Sequence, residues 1–527
     1  MIQKTFNPII HLILVTALTV FLIGSGSFNS DDTLHRLQVT RSFWTNAPQV
    51  LETNEKAQGF SAIGRDGNRY VTWGLGQSLV MLPADILAHS LTKALKLQEG
   101  SANKLINGIV SYLTFSFINI LGILASFQIL KKLDFNTKQA TYGTLSLLFC
   151  TSFLHYSQVH QENSLDFLMT TSGYLFHLLW LGSNSVLFLS LGLSALGFNL
   201  LIRLPLAINS ISVAIFTGIQ LYFQSKSTAN DLRYIRKSVI KYLTVAAIVY
   251  IFFLGIDRFY HWIRFDTFSG SYTAIWAEQM KSMNPNLPKS FPFSVPFIEG
   301  FLGFLFSPEK SIFLFNPLIL VTLYISIKNW GNISYNIRAF LISLIFLLFA
   351  TIVTYSSWFL WGGGGSWAAR YTTTASQLIS LVAIPLAMKF KFKNIIEIIV
   401  LKATILVSLL IQLSSVLFDF NLELSQNNVA GKSMFIIIQR FFNSIAVFTG
   451  NFDNWGLRPT NIPTGESQRF ITVVFFPWKN AAALLSPNLT IALQVAWIIL
   501  LVVLIYSIWV LLKKVSVVQD EKLLIQG

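Results

Sequence analysis

Charge is scarce in this chain of 527 residues, and cysteine is almost missing. Asp, Glu, Lys and Arg make up 12 % of the residues, which is about half of the roughly 25 % found in soluble domains. A soluble chain of this length needs more charge to cover its surface, so the composition excludes a set of soluble domains. Cys150 is the single cysteine, which excludes a fold held together by disulfide bonds.

Apolar residues are abundant instead, at 53 % of the chain, and 46 residues are Phe. A helix needs about 20 mostly apolar residues to cross the hydrocarbon core of a membrane. Only helices and closed barrels satisfy their backbone hydrogen bonds there, and the long unbroken runs exclude the barrel. The sequence therefore predicts an all-α polytopic membrane protein with about 12 transmembrane helices, at residues 8–24, 105–130, 139–157, 165–182, 186–202, 204–222, 240–257, 312–328, 339–357, 372–388, 395–418 and 489–511.

The first apolar run follows Lys4 and is typical both of a signal peptide and of a membrane anchor. No convincing small-x-small cleavage site follows the run, which favours an anchor that the chain retains. The prediction therefore counts residues 8–24 as the first span.

Residues 72–91 form an apolar segment with two interpretations, a span or an amphipathic helix that lies on the membrane surface. The segment carries Pro83, Asp85 and His89, which favours the surface helix. That interpretation also keeps the short basic segments in the cytoplasm, as the positive-inside rule requires. These segments are residues 131–138, 226–241, 328–338, 389–393 and 513–522.

This topology places both termini in the cytoplasm and three long segments outside, at residues 25–104, 258–311 and 419–488. Most of the formal net charge of +15 then lies on the cytoplasmic segments. The excess is therefore a topology signal, and no nucleic acid partner is predicted. The unusual polar residues gather on the outer side, where we expect the chemistry.

Two adjacent carboxylates, Asp31 and Asp32, lie near the start of the first outer segment. Placing carboxylates at a membrane boundary costs free energy unless they are solvated, so unsolvated ones are expected to have a function. The pattern predicts an amphipathic helix that extends through Trp44 and is capped by Ser30 or Asp31. A carboxylate fixed at a helix start is also well positioned as a general base. The apolar side chains of this helix are predicted to face the lipid: Leu34, Leu37, Val39, Phe43 and Trp44.

A turn and a pair of glycines follow in the same outer segment. Asp66-Gly67 is a strong turn signal, and Arg69 close to it is predicted to bind either a lipid headgroup or a specific phosphate. Gly74 and Gly76 predict a backbone that closely approaches another group.

Acidic and imidazole side chains gather at the outer end of the third predicted span, where such groups are functional candidates by default. They are His160, Glu162 and Asp166. His160 and Glu162 are residue types that ligate metals, but no third ligand stands at a recognisable spacing.

Arginines mark two further sites on the outer side. Arg203 lies between two apolar helices, where the simplest interpretation is that it reaches the outer headgroups. Arg370 follows a run of four glycines at 362–365. The backbone N–H groups of such a run can cradle an anion while the guanidinium grips phosphate, although the run also fits a flexible turn. Pro308 and Pro317 predict a kinked or re-entrant helix.

Taken in order, these motifs resemble those of the GT-C glycosyltransferases. This superfamily of membrane-embedded enzymes includes protein O-mannosyltransferases, aminoarabinose transferases and many bacterial transferases of lipid-linked sugars. The resemblance covers residues 5–390 and fades afterwards. It consists of the acidic pair Asp31-Asp32, an acid at the second outer loop (Glu162), and the runs at 305–308 and 361–371. It also includes a stretch of the type Asp-Gly-x-x-Tyr…Gly-Gln-Ser…Pro, carried by Asp66, Gly67, Tyr70, Gly76, Gln77, Ser78 and Pro83.

The chain departs from the family's pattern in its details. Trp73-Gly74-Leu75 stands where Tyr-Pro-Pro is frequent, Thr72 replaces a basic residue, and Ala369 replaces a proline. These departures concern the binding of the donor phosphate more than the fold.

The resemblance implies a GT-C-like catalytic module in residues 1–390, with amphipathic interfacial helices in the first outer loop, and a C-terminal transmembrane part in residues 391–527. It implies transfer of a sugar from a polyprenyl-phosphate donor to an acceptor hydroxyl, with inversion, at the outer face of a bacterial inner membrane. Asp31 is then the general base, accompanied by the acids Asp32 and Glu162. The substrate-binding residues that the resemblance implies are Arg69, Tyr70, Gln77, His160, Asp166, Arg203, Arg370 and Tyr371.

The sequence leaves the sugar and the acceptor open, since the acceptor can be a lipid, a glycan or a protein. Glu162 or Asp166 positions either the acceptor or a divalent cation, and no other cofactor is implied. The rival functions are a transporter or flippase of lipid-linked sugars and an O-antigen ligase or polymerase. A transporter predicts charges near the middle of spans and an internal repeat, neither of which is evident. Acceptor recognition is predicted for the loop at 419–488, with Asp453-Asn454-Trp455 and the Phe-Phe-Pro-Trp run at 475–478.

Overall fold

The structure is a computed structural model that describes residues 6–28, 30–50, 59–227, 232–392, 394–417, 420–430, 435–449 and 487–526. Every predicted catalytic and substrate-binding residue lies within these ranges. The predicted acceptor motifs at 453–455 and 475–478 lie outside the described residues.

Helices make up most of the described chain. The first nine in chain order are α1 Pro8–Ile23, α2 Asp31–Ser42, α3 Gly76–Ala94, α4 Glu99–Val110, α5 Ser116–Lys132, α6 Thr137–Cys150, α7 Phe153–Gln158, α8 Asn163–Ser183 and α9 Val186–Ile202. The next are α10 Ala207–Ser227, α11 Leu232–Phe265, α12 Tyr272–Met283, α13 Phe297–Phe306, α14 Ile312–Phe315, α15 Leu318–Lys328 and α16 Tyr335–Tyr355. The last are α17 Thr373–Leu381, α18 Ala383–Phe390, α19 Ile395–Ser415, α20 Asn421–Ala430, α21 Ile436–Thr449 and α22 Pro487–Gln526. Strands β1 (Ser61–Ile63) and β2 (Arg69–Val71) form an antiparallel hairpin in the first outer loop.

Seven helical segments of the described residues are long and apolar enough to cross a membrane. Three further predicted spans coincide with the shorter apolar helices α1, α9 and α15. The remaining predicted spans coincide with α6 and α8, and α8 is more polar because it buries Asp166, Thr170 and His177. The chain is therefore an all-helical polytopic membrane protein, as its apolar runs predict. The seven segments are Glu99–Lys132, Leu204–Gln224, Ile235–Phe265, Tyr335–Tyr355, Arg370–Phe390, Ile395–Ser415 and Ile491–Val517.

Helix α2 of the first outer loop starts at Asp31, and Ser30 occupies the N-cap position without a side-chain cap hydrogen bond. The helix ends at Ser42, before Trp44. Leu37 and Val39 are 2 % and 4 % exposed, so the prediction that they face the lipid is wrong. They are buried because other parts of the protein, including α3, pack against α2.

The apolar segment 72–91 falls on α3, which begins at Gly76. Helix α3 is not one of the described helices with the length and hydropathy of a span. Its Asp85 is buried, accepts a hydrogen bond from Trp44 Nε1 at 3.1 Å and pairs with Arg41 at 3.4 Å. The partners of this carboxylate therefore come from α2, from the residues after it and from α3 itself, where His89 Nδ1 lies 3.4 Å from Asp85 Oδ1. The position of α3 on the membrane surface stays a prediction.

The predicted kinked entry around Pro308 and Pro317 is confirmed as a broken helix. Helix α13 ends before Ser307, and the short helix α14 ends at Asn316-Pro317, where α15 begins. The freed side chain of Asn316 accepts a hydrogen bond from the backbone N–H of Ser152 at 3.1 Å. The turn at 307–311 buries Lys310 against the glycine run at 362–365.

Candidate active site

A cluster of arginines and carboxylates forms where α2, the start of α8, the end of α9 and the loop before α17 meet. Asp32 and Arg36 are four residues apart on α2, and this spacing puts both on one face of the helix. Asp32 Oδ2 lies 2.9 Å from Arg370 Nη1. Arg36 Nη2 lies 2.9 Å from Glu162 Oε2. The first outer loop is thus joined to the second outer loop and to the loop before α17 by ion pairs.

Glu162 is the centre of this cluster and is only 3 % exposed. Its second oxygen, Oε1, lies 2.9 Å from Arg203 Nη2. Burial by itself would raise the pKa of Glu162, but the charges of Arg203, Arg36 and Arg370 hold it below its usual range. The carboxylate is therefore ionised between two guanidinium groups.

Tyr371 holds the two outer arginines at defined positions. The guanidinium carbons of Arg203 and Arg370 lie 5.2 and 5.4 Å from the centre of the Tyr371 ring, within the range of cation–π attraction. The Tyr371 ring is itself stacked on Tyr355, with 3.9 Å between the ring centres and 2° between the planes. Tyr371 therefore contacts both guanidinium groups, and its ring is supported by Tyr355.

Two cavities share the wall that these residues form. The smaller cavity is polar and is lined by Glu162, Asp166 and Asn209 among others. The larger cavity encloses 1420 Å³, including the part that is open to solvent; its lining is mostly apolar and includes nine aromatic residues. Residues that line both are Arg203, Pro205, Tyr355, Arg370 and Tyr371. Asp32 lines the larger cavity.

Glycines in the first outer loop allow the close packing that positions Arg203. A Cβ atom at Gly74 would lie 2.2 Å from the carbonyl oxygen of Leu201, and one at Gly76 would lie 2.8 Å from Ile202 Cγ1. The close backbone approach predicted from these glycines is thus confirmed. Its partner is the end of α9, directly before Arg203.

Polar contacts from α2 and α3 fix the segment that carries Glu162. Gln77 Nε2 donates to the His160 carbonyl at 2.9 Å, and the Thr33 hydroxyl donates to the same oxygen. The His160 ring is buried against Phe115, with 4.5 Å between the ring centres, and Ser111 Oγ lies 3.1 Å from its Nε2. Burial lowers the pKa of His160 to about 3. Gln77 and His160 therefore support the site from behind and line neither cavity.

The other predicted site residues are less central. Asp31 is exposed and lines neither cavity. Arg69 and Tyr70 lie on β2, where Arg69 Nη1 donates to Ser61 Oγ at 3.3 Å and Tyr70 donates to Asp66 at 2.7 Å. These contacts direct both side chains into the hairpin, away from the ion-pair cluster.

Asp166 lies at the floor of the polar cavity in a set of hydrogen bonds. Its Oδ1 accepts from Asn209 Nδ2 at 2.6 Å and from Thr170 Oγ1 at 3.0 Å, and its Oδ2 accepts from Thr374 Oγ1 at 2.6 Å. The donors come from three helices, α8 itself, α10 and α17. The carboxylate therefore ties these helices together as well as facing the cavity.

The glycine run before Arg370 packs closely against side chains of the protein. None of the residues 362–365 lines either cavity, and the N–H of Gly363 donates to the Leu360 carbonyl at 2.8 Å. Gly363 has φ +87°, and a Cβ atom there would lie 2.5 Å from Arg370 Cγ. The run therefore makes room for side chains. That its amides cradle an anion stays a prediction.

Sequence reasoning missed Arg36, Asn163 and Lys310. Arg36 is 1 % exposed, and the only available signal was its spacing of four residues from Asp32. Asn163 Nδ2 donates to the Arg370 carbonyl at 2.7 Å, a contact across more than two hundred residues. Lys310 contacts the glycine run, as argued below.

The side chains of the site do not fit a divalent cation. No group of three or more His, Cys, Asp or Glu residues in the part of the chain described could hold a metal ion. The carboxylates of Glu162 and Asp32 each face arginines at 2.9 Å, and a guanidinium in that position repels a cation. No step is therefore assigned to a metal.

Solved structures of membrane glycosyltransferases are similar to this chain, at low identity. The archaeal oligosaccharyltransferase AglB from Archaeoglobus fulgidus, in complex with an inhibitory peptide and a dolichol-phosphate, is 11 % identical with a TM-score of 0.43; the match covers 79 % of this chain and 56 % of AglB. ArnT from Cupriavidus metallidurans, bound to undecaprenyl phosphate, is 14 % identical with a TM-score of 0.41, covering 97 % of this chain and 74 % of ArnT. The apo form of the Archaeoglobus fulgidus oligosaccharyltransferase is 11 % identical with a TM-score of 0.43, covering 90 % of this chain and 60 % of that one.

The match spans little more than half the length of the archaeal oligosaccharyltransferase. No protein-family model matches the chain, and no curated protein sequence matches it.

Glu162→Gln is expected to lower the free energy of unfolding by about 3–5 kcal/mol, because it leaves two buried guanidinium groups without their counter-charge. Thermal unfolding of the detergent-solubilised protein measures the effect. Glu299→Gln is the matched control, since Glu299 is exposed on α13. An equal melting temperature for both variants would contradict the structural role of Glu162.

Proposed function

We propose that the chain is a glycosyltransferase that moves a sugar from a polyprenyl-phosphate donor to an acceptor hydroxyl. The observation that carries the proposal is the placement of Arg203 and Arg370 on the wall shared by a polar cavity and an apolar one. A lipid-linked sugar has a polar head, an anionic phosphate and an apolar chain. The larger cavity carries both arginines and Asp32 on one wall and apolar side chains on the rest, so it offers a place for the phosphate, the sugar and the start of the chain.

The charges of the cluster favour one bound anion. Three arginines, Arg36, Arg203 and Arg370, contact two carboxylates, Glu162 and Asp32, which leaves one positive charge among these five side chains. The donor phosphate is a diester with one negative charge, so its binding would neutralise the cluster. Arginine pairs well with phosphate because its guanidinium can donate two parallel hydrogen bonds.

The larger cavity supports a lipid-linked donor. Aromatic side chains dominate its lining, among them Phe60, Trp73, Trp276, Phe293 and Trp358. Burial of a prenyl chain against such rings stabilises by roughly 25 cal/mol for each Å² of apolar surface removed from water. The larger cavity is also lined by carboxylate and hydroxyl groups, those of Asp32, Thr72, Ser271 and Thr273, which are of the kinds that bind sugar hydroxyls.

Asp32 is our candidate for the general base in this mechanism. It lines the larger cavity, and Arg370, its ion-pair partner from the loop before α17, would turn to the phosphate when the donor binds. The freed carboxylate takes the proton of the acceptor hydroxyl as that oxygen attacks the anomeric carbon. The bond from the anomeric carbon to the phosphate oxygen breaks, and the electron pair leaves with the lipid phosphate, where Arg203 and Arg370 stabilise it. One displacement of this kind inverts the anomeric centre.

The sequence motif favours Asp31 as the base, and the geometry favours Asp32. The chain offers both carboxylates at adjacent positions, so the two assignments are separable by single substitutions. We also propose that the site opens to the outer face of a bacterial inner membrane, with both termini in the cytoplasm, and that the loop at 419–488 contributes to acceptor recognition.

The experiment that tests the function uses the purified protein in lipid nanodiscs and synthetic undecaprenyl-phosphate sugars with a labelled sugar. A membrane and cell-envelope extract supplies the acceptor. Wild-type protein is expected to release undecaprenyl phosphate and to label a component of the extract, whereas Arg203→Ala is expected to do neither. The same protein is also reconstituted into sealed lipid vesicles. Movement of intact donor across the vesicle membrane without cleavage would contradict the proposal and indicate a flippase.

A further inference from the structure

Lys310 is a buried lysine that binds the loop carrying Arg370. It follows the turn at 307–309 and is 6 % exposed. Its Nζ donates to the carbonyl of Gly364 at 2.9 Å and to the carbonyl of Ser366. Both acceptors belong to the segment that leads to Arg370, so one side chain fixes two points of that backbone.

The glycine run is built around two side chains. A Cβ atom at Gly362 would lie 2.8 Å from Lys310 Cγ, and one at Gly363 would lie 2.5 Å from Arg370 Cγ. The stems of Lys310 and Arg370 therefore both pass directly against neighbouring glycines. A shift of Lys310 would move the backbone on which the stem of Arg370 rests.

The surroundings of Lys310 make its presence costly for stability alone. No ion pair within the described ranges involves it, and the carboxylate of its neighbour Glu309 accepts a hydrogen bond from Asn427 at 2.9 Å. The other charged or titratable groups that face Lys310 are Arg370 and His155. Burial lowers the pKa of Lys310 to about 7. An apolar side chain would avoid this desolvation. The lysine gains two hydrogen bonds to the loop and a cation–π contact, with its Nζ 5.3 Å from the centre of the Phe420 ring.

We propose that Lys310 is a positioning residue: it fixes the 362–370 segment so that Arg370 points into the shared wall of the two cavities, and it thereby sets the affinity for the donor phosphate. This inference rests on the proposed function. It concerns a residue that contacts neither cavity, since Lys310 is absent from the residues that line them.

The test measures binding of a prenyl methyl phosphodiester, in which a methyl group replaces the sugar and the single acid stays ionised at neutral pH. The variants are Lys310→Met, Arg370→Ala and the double variant, all as full-length chains in nanodiscs. Lys310→Met is expected to weaken binding by about 10- to 100-fold, in the range found for coupled neighbours. The double variant is expected to bind no more weakly than Arg370→Ala, because Lys310 acts through Arg370.

Additive losses in the double variant, or unchanged binding by Lys310→Met, would overturn the inference. Lys310→Arg keeps the charge and the donors and is expected to recover part of the affinity. If wild-type protein does not bind the diester, the proposed function itself fails. If wild type binds it and Arg370→Ala binds it measurably more weakly, the function stands, and Lys310→Met together with the double variant decides the role of Lys310.

A second variant covers the case in which Lys310→Met does not fold. Gly362→Ala keeps Lys310 in the chain, but the new Cβ atom displaces the aliphatic part of its side chain. This variant is expected to bind the diester more weakly, as Lys310→Met does. Gly331→Ala is the matched control, because a Cβ atom at Gly331 meets nothing within 4 Å. Equal affinity of Gly362→Ala and Gly331→Ala would also overturn the inference.

Discussion

Arg370→Ala is expected to lower the rate of sugar transfer by about 10²–10³-fold, the loss seen when one group that stabilises a developing oxyanion is removed. Arg370 lines both cavities and pairs with Asp32 at 2.9 Å. Its loss removes a charge on which the leaving phosphate depends, and it also leaves Asp32 without its partner. Initial rates of donor cleavage at saturating donor measure the effect.

Arg370→Lys separates charge from geometry in the same assay. Lysine keeps the positive charge but cannot form the two parallel hydrogen bonds of a guanidinium. It also loses the planar group that lies over Tyr371. We expect a rate between those of wild type and Arg370→Ala. A rate for Arg370→Ala within a few-fold of wild type, in protein that elutes and melts normally, would remove Arg370 from the mechanism.

Asp32→Asn is expected to lower the transfer rate by about 10²–10⁴-fold, the usual contribution of a general base. Asparagine has almost the same shape as aspartate but cannot accept the proton of the acceptor hydroxyl. Binding of the prenyl phosphodiester is expected to stay or to strengthen, because Arg370 no longer has a competing carboxylate. Single-turnover rates and equilibrium binding, measured on the same preparation, give the two quantities separately.

Asp31→Asn is the matched control for this prediction. Asp31 is exposed and lines neither cavity, so the expected change in rate is small. The reverse result, with Asp31→Asn inactive and Asp32→Asn active, would contradict the assignment from geometry. It would assign the base to the first acid of the pair, as the sequence motif favours.

The membrane class of the protein and the positions of its helices were predictable from the sequence. Every predicted apolar run coincides with a helix or a pair of helices, because hydropathy over about 20 residues is a local property. The break at Asn316-Pro317 was also predictable, since proline removes a backbone donor wherever it stands. Glu162, Arg203 and Arg370 could be selected as site residues because charge at the end of an apolar run is unusual.

The partners of these residues were not predictable in the same way. Arg36 is indistinguishable in the sequence from an exposed helix residue, yet it is buried on Glu162. The glycine run before Arg370 fits anion-binding amides or a flexible turn by its sequence, and the structure adds that it accommodates the stems of Lys310 and Arg370. Nothing in the local sequence indicates which backbone a lysine more than fifty residues away will contact.

The sequence is sufficient to predict that this chain spans a membrane as helices and that the charged side chains of the site lie at the ends of those helices. Both predictions follow from the free-energy cost of placing charges and unpaired backbone groups in hydrocarbon. This cost applies to each segment separately, so it can be evaluated from the local sequence. The tertiary structure was needed to show that Asp32 rather than Asp31 lines the larger cavity. It was also needed to show that Arg36, Arg203 and Arg370 pair with Glu162 and Asp32. The reason is physical: ion pairs across α2, α8, α9 and the loop before α17 depend on how these elements pack, and packing is a property of the whole chain.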